Sequence, residues 1–329
     1  MKQIHIIEMG GTISAKGVNR LDLKDYTSGK VYGEDFIQDL PELKELAELS
    51  FHSFRKLSST KLKPTDWLEL RQYIMNKLEE DSVDGIVLSH GTSTLEETAY
   101  FLHLSLPTEK PVVLVGAQRP YTALSSDAQM NLIQAILVAS SEEAKGKGVL
   151  VVANDHISSA REVTKQSTYR LDTFQSQRHG FLGVVDADHT VQFYRAPVRK
   201  HTYLSSFAQK SLDHLPEVAI TYSYAGASGD IIDAIRTSGK YKGIVVAGTG
   251  AGLVSPEEMV ALEQAAKEGM VVVRSSRVGS GRVLDIKPYQ HLPFISGDDL
   301  LPQKARVLLM LGLATGLSRE EIQKSFHSY

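Results

Sequence analysis

The chain is 329 residues long, 42% hydrophobic and 23% charged, with no cysteine and a formal net charge of -3. That length carries one large or two medium domains with real cores, and the absence of cysteine excludes disulfides, thiolate-held zinc, iron–sulfur clusters and a thiol nucleophile together. The charge balance offers no basic stripe for nucleic acid and no polybasic membrane patch, while eleven histidines and many carboxylates leave metal binding open.

The N-terminus, Met1-Lys2-Gln3-Ile4-His5-Ile6-Ile7, is apolar for only a few residues before Glu8 and Gly10-Gly11. A signal peptide needs a longer apolar stretch and a small-residue cleavage site. The segment is therefore read as a first buried strand, with a cytoplasmic location as the default expectation. No run approaches the roughly 20 apolar residues of a membrane span. Strands are predicted at 4–9, 85–89, 111–115, 149–153, 218–222, 243–247 and 270–273. These runs are apolar throughout, as expected of parallel strands covered on both faces.

Helical patterns lie between them. Trp67, Leu70, Ile74 and Leu78 share one face, with Pro64 near the first turn, and Met130, Ile133 and Leu137 do the same after Asp127. Capping boxes are legible at Thr94/Glu97, at Ser255/Glu258 with Pro256 opening and Gly269 closing the helix, and at Ser318/Glu321. Strand–helix alternation of this kind predicts a doubly wound α/β fold. The stretch 195–216, with Pro197 and Pro216, has no clear period. It reads as a linker between a larger N-terminal domain, 1–194, and a smaller C-terminal one, 217–329.

Open parallel sheets bind ligands beyond the carboxyl ends of their strands. The first predicted strand ends in Gly10-Gly11-Thr12, the second in His90-Gly91-Thr92-Ser93, and the third in Gly116-Ala117-Gln118-Arg119-Pro120; the fourth leads through Asn154-Asp155 toward Lys165. Glycine beside a hydroxyl lets backbone and side chain approach a ligand closely. A threonine hydroxyl attacks a carbonyl only with help from a base, and Lys165 and the tyrosines are the available helpers. Backbone N–H groups of the glycine loops are candidate oxyanion donors. Each signal alone has a plain reading: a turn, a helix cap, a solvated lysine. Their joint placement at successive strand ends is what points to a site. Gly248-Thr249-Gly250-Ala251-Gly252 sits like a dinucleotide loop but lacks the G-x-G-x-x-G spacing. Asp155-His156 is a poor metal ligand set without further partners.

Longer motifs then resemble one family. Met9-Gly10-Gly11-Thr12-Ile13 and His90-Gly91-Thr92-Ser93-Thr94-Leu95-Glu96-Glu97-Thr98-Ala99 look like the two signatures of the bacterial L-asparaginase and glutaminase-asparaginase family. Val115 to Pro120 with Ser126-Asp127, Arg161 to Lys165, Val272 to Arg277 and Pro302 to Leu309 resemble further segments of it. The resemblance implies a flavodoxin-like N-domain plus a small α/β domain, and an amidohydrolase acting on a small-molecule amide without a cofactor or a metal. It implies Thr12 as a nucleophile forming an acyl-enzyme, Tyr26 in a lid segment assisting it, and Thr92 with Lys165 as a polar relay. Gly11, Ser59, Thr60, Gly91, Ser93 and Ala117 would bind substrate. The implied assembly is a homodimer or a homotetramer of intimate dimers, with sites at the dimer interface and no nucleic-acid or membrane partner.

One departure bears on substrate. The family's second signature has aspartate where this chain has Ser93, and that aspartate binds the substrate's α-ammonium group. In the family the neighbouring subunit also offers an asparagine where Ala251 stands here, and an acid where Ile286 stands, with Asp285 one residue away. Serine offers no charge-assisted bond to an ammonium, an interaction of about 1.5–3 kcal/mol. Three readings follow. The first is an amidohydrolase for N-substituted or desamino amides. The second is an L-asparaginase of weakened activity. The third is a binding protein that has lost turnover, which the intact set Thr12, Tyr26, Thr92 and Lys165 argues against.

Overall fold

The computed structural model describes residues 1–176 and 179–329. They form two compact units, Met1–Gln209 and Lys210–Tyr329, which meet in sequence inside the 195–216 stretch.

In the first unit β1 (Gln3–Gly10) lies between β2 (Glu48–Leu57) and β3 (Gly85–Ser89), parallel to both. Next, β4 (Val112–Val115) and β5 (Val149–Ala153) continue the parallel run. Antiparallel strands β6 (His156–Ser159), β7 (Gly183–Val185) and β8 (Val191–Phe193) complete it. The order is β2-β1-β3-β4-β5-β6-β7-β8. Its first five strands follow the flavodoxin-like order, so the chain changes direction across the sheet between β1 and β3, where such folds open a crevice.

Helices cover both faces. α1 (Gly33–Asp39), α2 (Leu43–Leu46) and α5 (Ala128–Ser140) share a core with Ile4, Ile6, Val87 and Val113. The alternate residue His5 turns the other way and bonds Tyr73 of α3 (Pro64–Leu78) at 2.9 Å. α3 packs on α4 (Leu95–Ser105), with Trp67 stacked on Phe101 at 5.4 Å between ring centroids.

Two expectations change here. β2 and the antiparallel β6, β7 and β8 lie outside the predicted strands. β2, as an edge strand with one wet side, mixes polar and apolar residues, and the other three are four residues long or shorter, so a search for continuous apolar runs passes over them. In α5 the predicted face is only partly turned inward: Met130 is 46% exposed, Ile133 and Leu137 are half-buried against the core, and Ala128, Leu132, Ala135 and Ile136 are buried in it. Both stripes of α5 are apolar, and the small alanines let this one approach the sheet closely.

The second unit is a parallel sheet of β9 (Val218–Tyr222), β10 (Gly243–Gly248), β11 (Val271–Ser276) and β12 (Phe294–Ser296), in that order. It carries α6 (Asp230–Thr237), α7 (Pro256–Lys267), α8 (Pro302–Ala314) and α9 (Arg319–Ser328). The capping boxes at Ser255/Glu258 and Ser318/Glu321 both form. Gln323 of α9 accepts from the Ser296 amide at 2.8 Å and donates to the Ser296 carbonyl at 3.1 Å. Among the described residues no helix is long and apolar enough to cross a membrane.

Candidate active site

β1 and β3 end side by side, and the loops beyond them are built on glycine. Gly10 and Gly11 have φ of 93° and 87°, a region that side chains other than glycine rarely adopt. A Cβ on Gly11 would lie 2.3 Å from Gly91 Cα, so the two loops pack backbone to backbone. A Cβ on Gly91 would in turn lie 2.8 Å from Ser59 Oγ. Thr12 and Thr92, the residues after these glycines, are only 8% and 6% exposed.

Each threonine has one polar partner. Thr12 Oγ1 lies 3.0 Å from Tyr26 OH, and either group can donate. Tyr26 reaches it through a two-residue ladder, Lys16↔Thr27 and Gly17↔Tyr26. The Lys30 and Val31 amides close the base of that ladder on Ser14 O at 2.7 and 3.1 Å. Outside the ladder, Gly17 N donates to Thr122 Oγ1 at 3.1 Å and Leu124 N to Arg20 O at 2.8 Å. Lys165 Nζ donates to Thr92 Oγ1 at 2.7 Å. Burial lowers the Lys165 pKa, and the charge of Glu96 opposes the shift. Free amine is therefore present at lower pH than for a solvated lysine.

The remaining site candidates are spread along the same rim. Ser59 is buried, and its carbonyl accepts from Thr94 Oγ1 at 3.0 Å. Thr94 thus holds the Ser59 loop and makes no side-chain cap for α4, which corrects the capping box expected at Thr94/Glu97. Ala117 is buried beside Gly116, where a Cβ would meet Thr92 Cγ2 at 3.0 Å. Ser93 and Thr60 are exposed, and Thr60 Oγ1 bonds Ser58 Oγ at 2.9 Å.

Several residues were not singled out in the sequence. Glu96, buried on the first turn of α4, accepts from Lys165 N at 3.3 Å. Asp127 accepts from the Gln118 and Arg119 amides at 2.9 Å each, fixing the loop after β4. His90, wholly buried, has Nδ1 at 2.7 Å from Gly91 O and Nε2 at 3.0 Å from Thr98 Oγ1, and Thr98 accepts from Trp67 Nε1 at 2.9 Å. An acid in the first turn of a helix is a usable sequence signal for Glu96. The other contacts arise from tertiary packing. Among the described residues no group of three or more His, Asp or Glu is placed to hold a metal ion.

Comparison with known proteins shows the family of the chain. Residues 3–199 match the family model described as "Asparaginase, N-terminal", and residues 217–326 match "Glutaminase/Asparaginase C-terminal domain". The chain is 42% identical to L-asparaginase 2 of Bacillus subtilis (strain 168), covering 100% of this chain and 87% of that one. It is 37% identical to the glutaminase-asparaginase of Pseudomonas fluorescens biotype A, covering 100% and 91%. A crystal structure of a probable cytoplasmic L-asparaginase from Campylobacter jejuni superposes with a TM-score of 0.96 at 40% identity, covering both chains fully.

Proposed function

We propose a threonine acyl-enzyme route for this chain, which belongs to the asparaginase family and is an amidohydrolase acting on linear amides. One observation carries it: two hydroxyl pairs, Thr12 with Tyr26 and Thr92 with Lys165, stand on loops whose glycine backbones touch. Thr12 Oγ attacks the carboxamide carbon while its proton passes to the Tyr26 oxygen and the phenol releases its own proton to water. Collapse of the tetrahedral species breaks the C–N bond, with Thr92 and Lys165 relaying a proton to the departing nitrogen. Water then attacks the ester at Thr12, releasing the acid and restoring the hydroxyl.

For substrate, the reading is an amide with no free ammonium next to the reacting arm, such as an N-substituted or desamino amide. Ser93 is neutral and exposed where the family resemblance expects a carboxylate, and Ala251 removes a second polar partner. Loss of one charge-assisted bond costs about 1.5–3 kcal/mol, roughly a 10- to 100-fold preference. The names of the relatives favour a second reading, an L-asparaginase of weakened activity.

A panel of amides scored by ammonia release separates the two. Preference for N-blocked or desamino amides supports the first. Preference for free asparagine over all of them, with Ser93→Asp raising asparagine hydrolysis by orders of magnitude, selects the second. Mass spectrometry of a slowly hydrolysed amide tests the shared step: an adduct on Thr12 is expected, and an adduct elsewhere overturns the route. The proposed location is the cytoplasm and the proposed assembly a homodimer or homotetramer with sites at a dimer interface. Fractionation and light scattering test these.

A further inference from the structure

The buried chain behind β3 has a direction that the chemistry of its members dictates. Trp67 Nε1 is a donor only, so at 2.9 Å it occupies an acceptor site of Thr98 Oγ1. The Gly91 carbonyl is an acceptor only, so His90 Nδ1, 2.7 Å away, must carry the proton. Burial holds the His90 pKa down at about 4, so near neutral pH the ring has one proton and Nε2 is a bare lone pair. Among the described residues the donor facing it is the Thr98 hydroxyl at 3.0 Å. The order is therefore fixed: indole N–H to hydroxyl, hydroxyl to Nε2, Nδ1–H to the Gly91 carbonyl.

That carbonyl belongs to the Gly91–Thr92 peptide. The peptide is planar and trans, so its N–H points away from its C=O. Drawing the carbonyl back toward His90 turns the Thr92 amide outward, to the side of the Gly91 loop away from the buried ring. Among the described residues the Thr92 amide donates to no acceptor of the protein.

We propose that Thr98, through His90, is a positioning residue for the reaction: it locks the Gly91–Thr92 peptide so that the Thr92 amide is held ready as a donor to the oxyanion formed when the amide carbon is attacked. This rests on the acyl-enzyme reading and adds the device that aims one donor. Trp67 takes part by filling the acceptor site of Thr98, so that the hydroxyl hydrogen has only the imidazole to serve. A threonine with a free hydroxyl would divide its hydrogen between His90 and the carbonyls of α4.

The test pairs a spectroscopic and a kinetic readout. Nitrogen-15 NMR of the imidazoles in the whole protein should show His90 protonated at Nδ1 and bare at Nε2. Thr98→Val keeps the shape and removes the hydroxyl, so the bare Nε2 loses its donor and its nitrogen-15 shift is expected to move while Nδ1 stays protonated. kcat should fall about 3- to 10-fold, part of the loss seen when an oxyanion donor is removed outright, with KM within about twofold. Thr98→Ser should restore both. If Thr98→Val does not fold, Trp67→Phe, which deletes the indole N–H that fills the Thr98 acceptor site, should move the Nε2 shift and kcat the same way. A wild-type His90 protonated at Nε2, an unchanged kcat in a folded variant, or a change confined to KM overturns the proposal. Thr12→Ala separates this from failure of the parent reading: it should abolish turnover and leave the His90 tautomer as it was, whereas a variant that still turns over indicts the nucleophile and leaves the tautomer result standing.

Discussion

Lys165 is half-buried, and burial holds its ammonium below the ordinary lysine value of 10.5 while Glu96 pulls the other way. If its ammonium supplies the proton that Thr92 relays to the departing nitrogen, kcat/KM falls with rising pH along a limb below that value. Lys165→Met should remove the limb and lower kcat about 10²- to 10⁴-fold. Paired pH–rate profiles are the check, and a limb that survives the substitution counts against Lys165. At this scale the sequence was informative where function sits beside glycine. Gly10-Gly11-Thr12 and Gly91-Thr92 carry their own signal, because only glycine fits at φ of 87° with a neighbouring backbone where its Cβ would be. The Trp67–Thr98–His90 chain was not legible. It joins residues 31 and 8 apart in sequence, and it exists only because α3 packs on α4.

Among the elements, α7 gives the plainest measurement. Ser255 Oγ accepts from Glu258 N at 3.0 Å, and the Glu258 carboxylate accepts from Ser255 N at 3.0 Å and from Ser223 Oγ at 2.6 Å. Removing the hydroxyl by Ser255→Ala should destabilise the second unit by about 0.5–2 kcal/mol, read as a lower urea midpoint with an unchanged slope. An unmoved midpoint would refute it. The same four-residue pattern at Thr94/Glu97 makes no such box, because the Ser59 carbonyl lies within reach of the Thr94 hydroxyl. A local motif states which bonds are available, and tertiary neighbours decide which are made. That is also why β1, β3, β4 and β5 of the first sheet could be approached from apolar runs, while β2 at its rim and the short antiparallel strands could not. The predicted stripe of α5 was right for Ile133 and Leu137 and wrong for Met130 for the same reason, since two apolar stripes compete and packing decides how far each is buried.

For the molecule as a whole, acid is the informative stress. His5, His90 and His201 are each lowered to about 4 by burial, with lesser charge contributions at His5 and a Gly91 backbone contact that opposes the shift at His90. Unfolded, each takes up a proton near 6.5, while the folded chain keeps them neutral. Their contribution to stability is complete above 6.5 and is lost as pH falls toward 4. Glu8 acts oppositely. Burial raises it to about 7, so the folded chain retains a proton that the unfolded chain releases near 4.5, a gain that fades as pH climbs through 7. Three groups against one give a net fall in the thermal midpoint between pH 6.5 and 4. Calorimetry across that range is the check, with His201→Asn expected to flatten the curve, and a midpoint that holds or rises would contradict it.

The side-chain amide of Gln323 stands in for a fifth strand. It occupies both main-chain groups of Ser296, the last residue of the three-residue β12. A rim so short, with its final rung already taken, is a poor template for another polypeptide to add onto. The small unit is thereby guarded against fibre-like growth from that side, by a single residue that has no part in the chemistry.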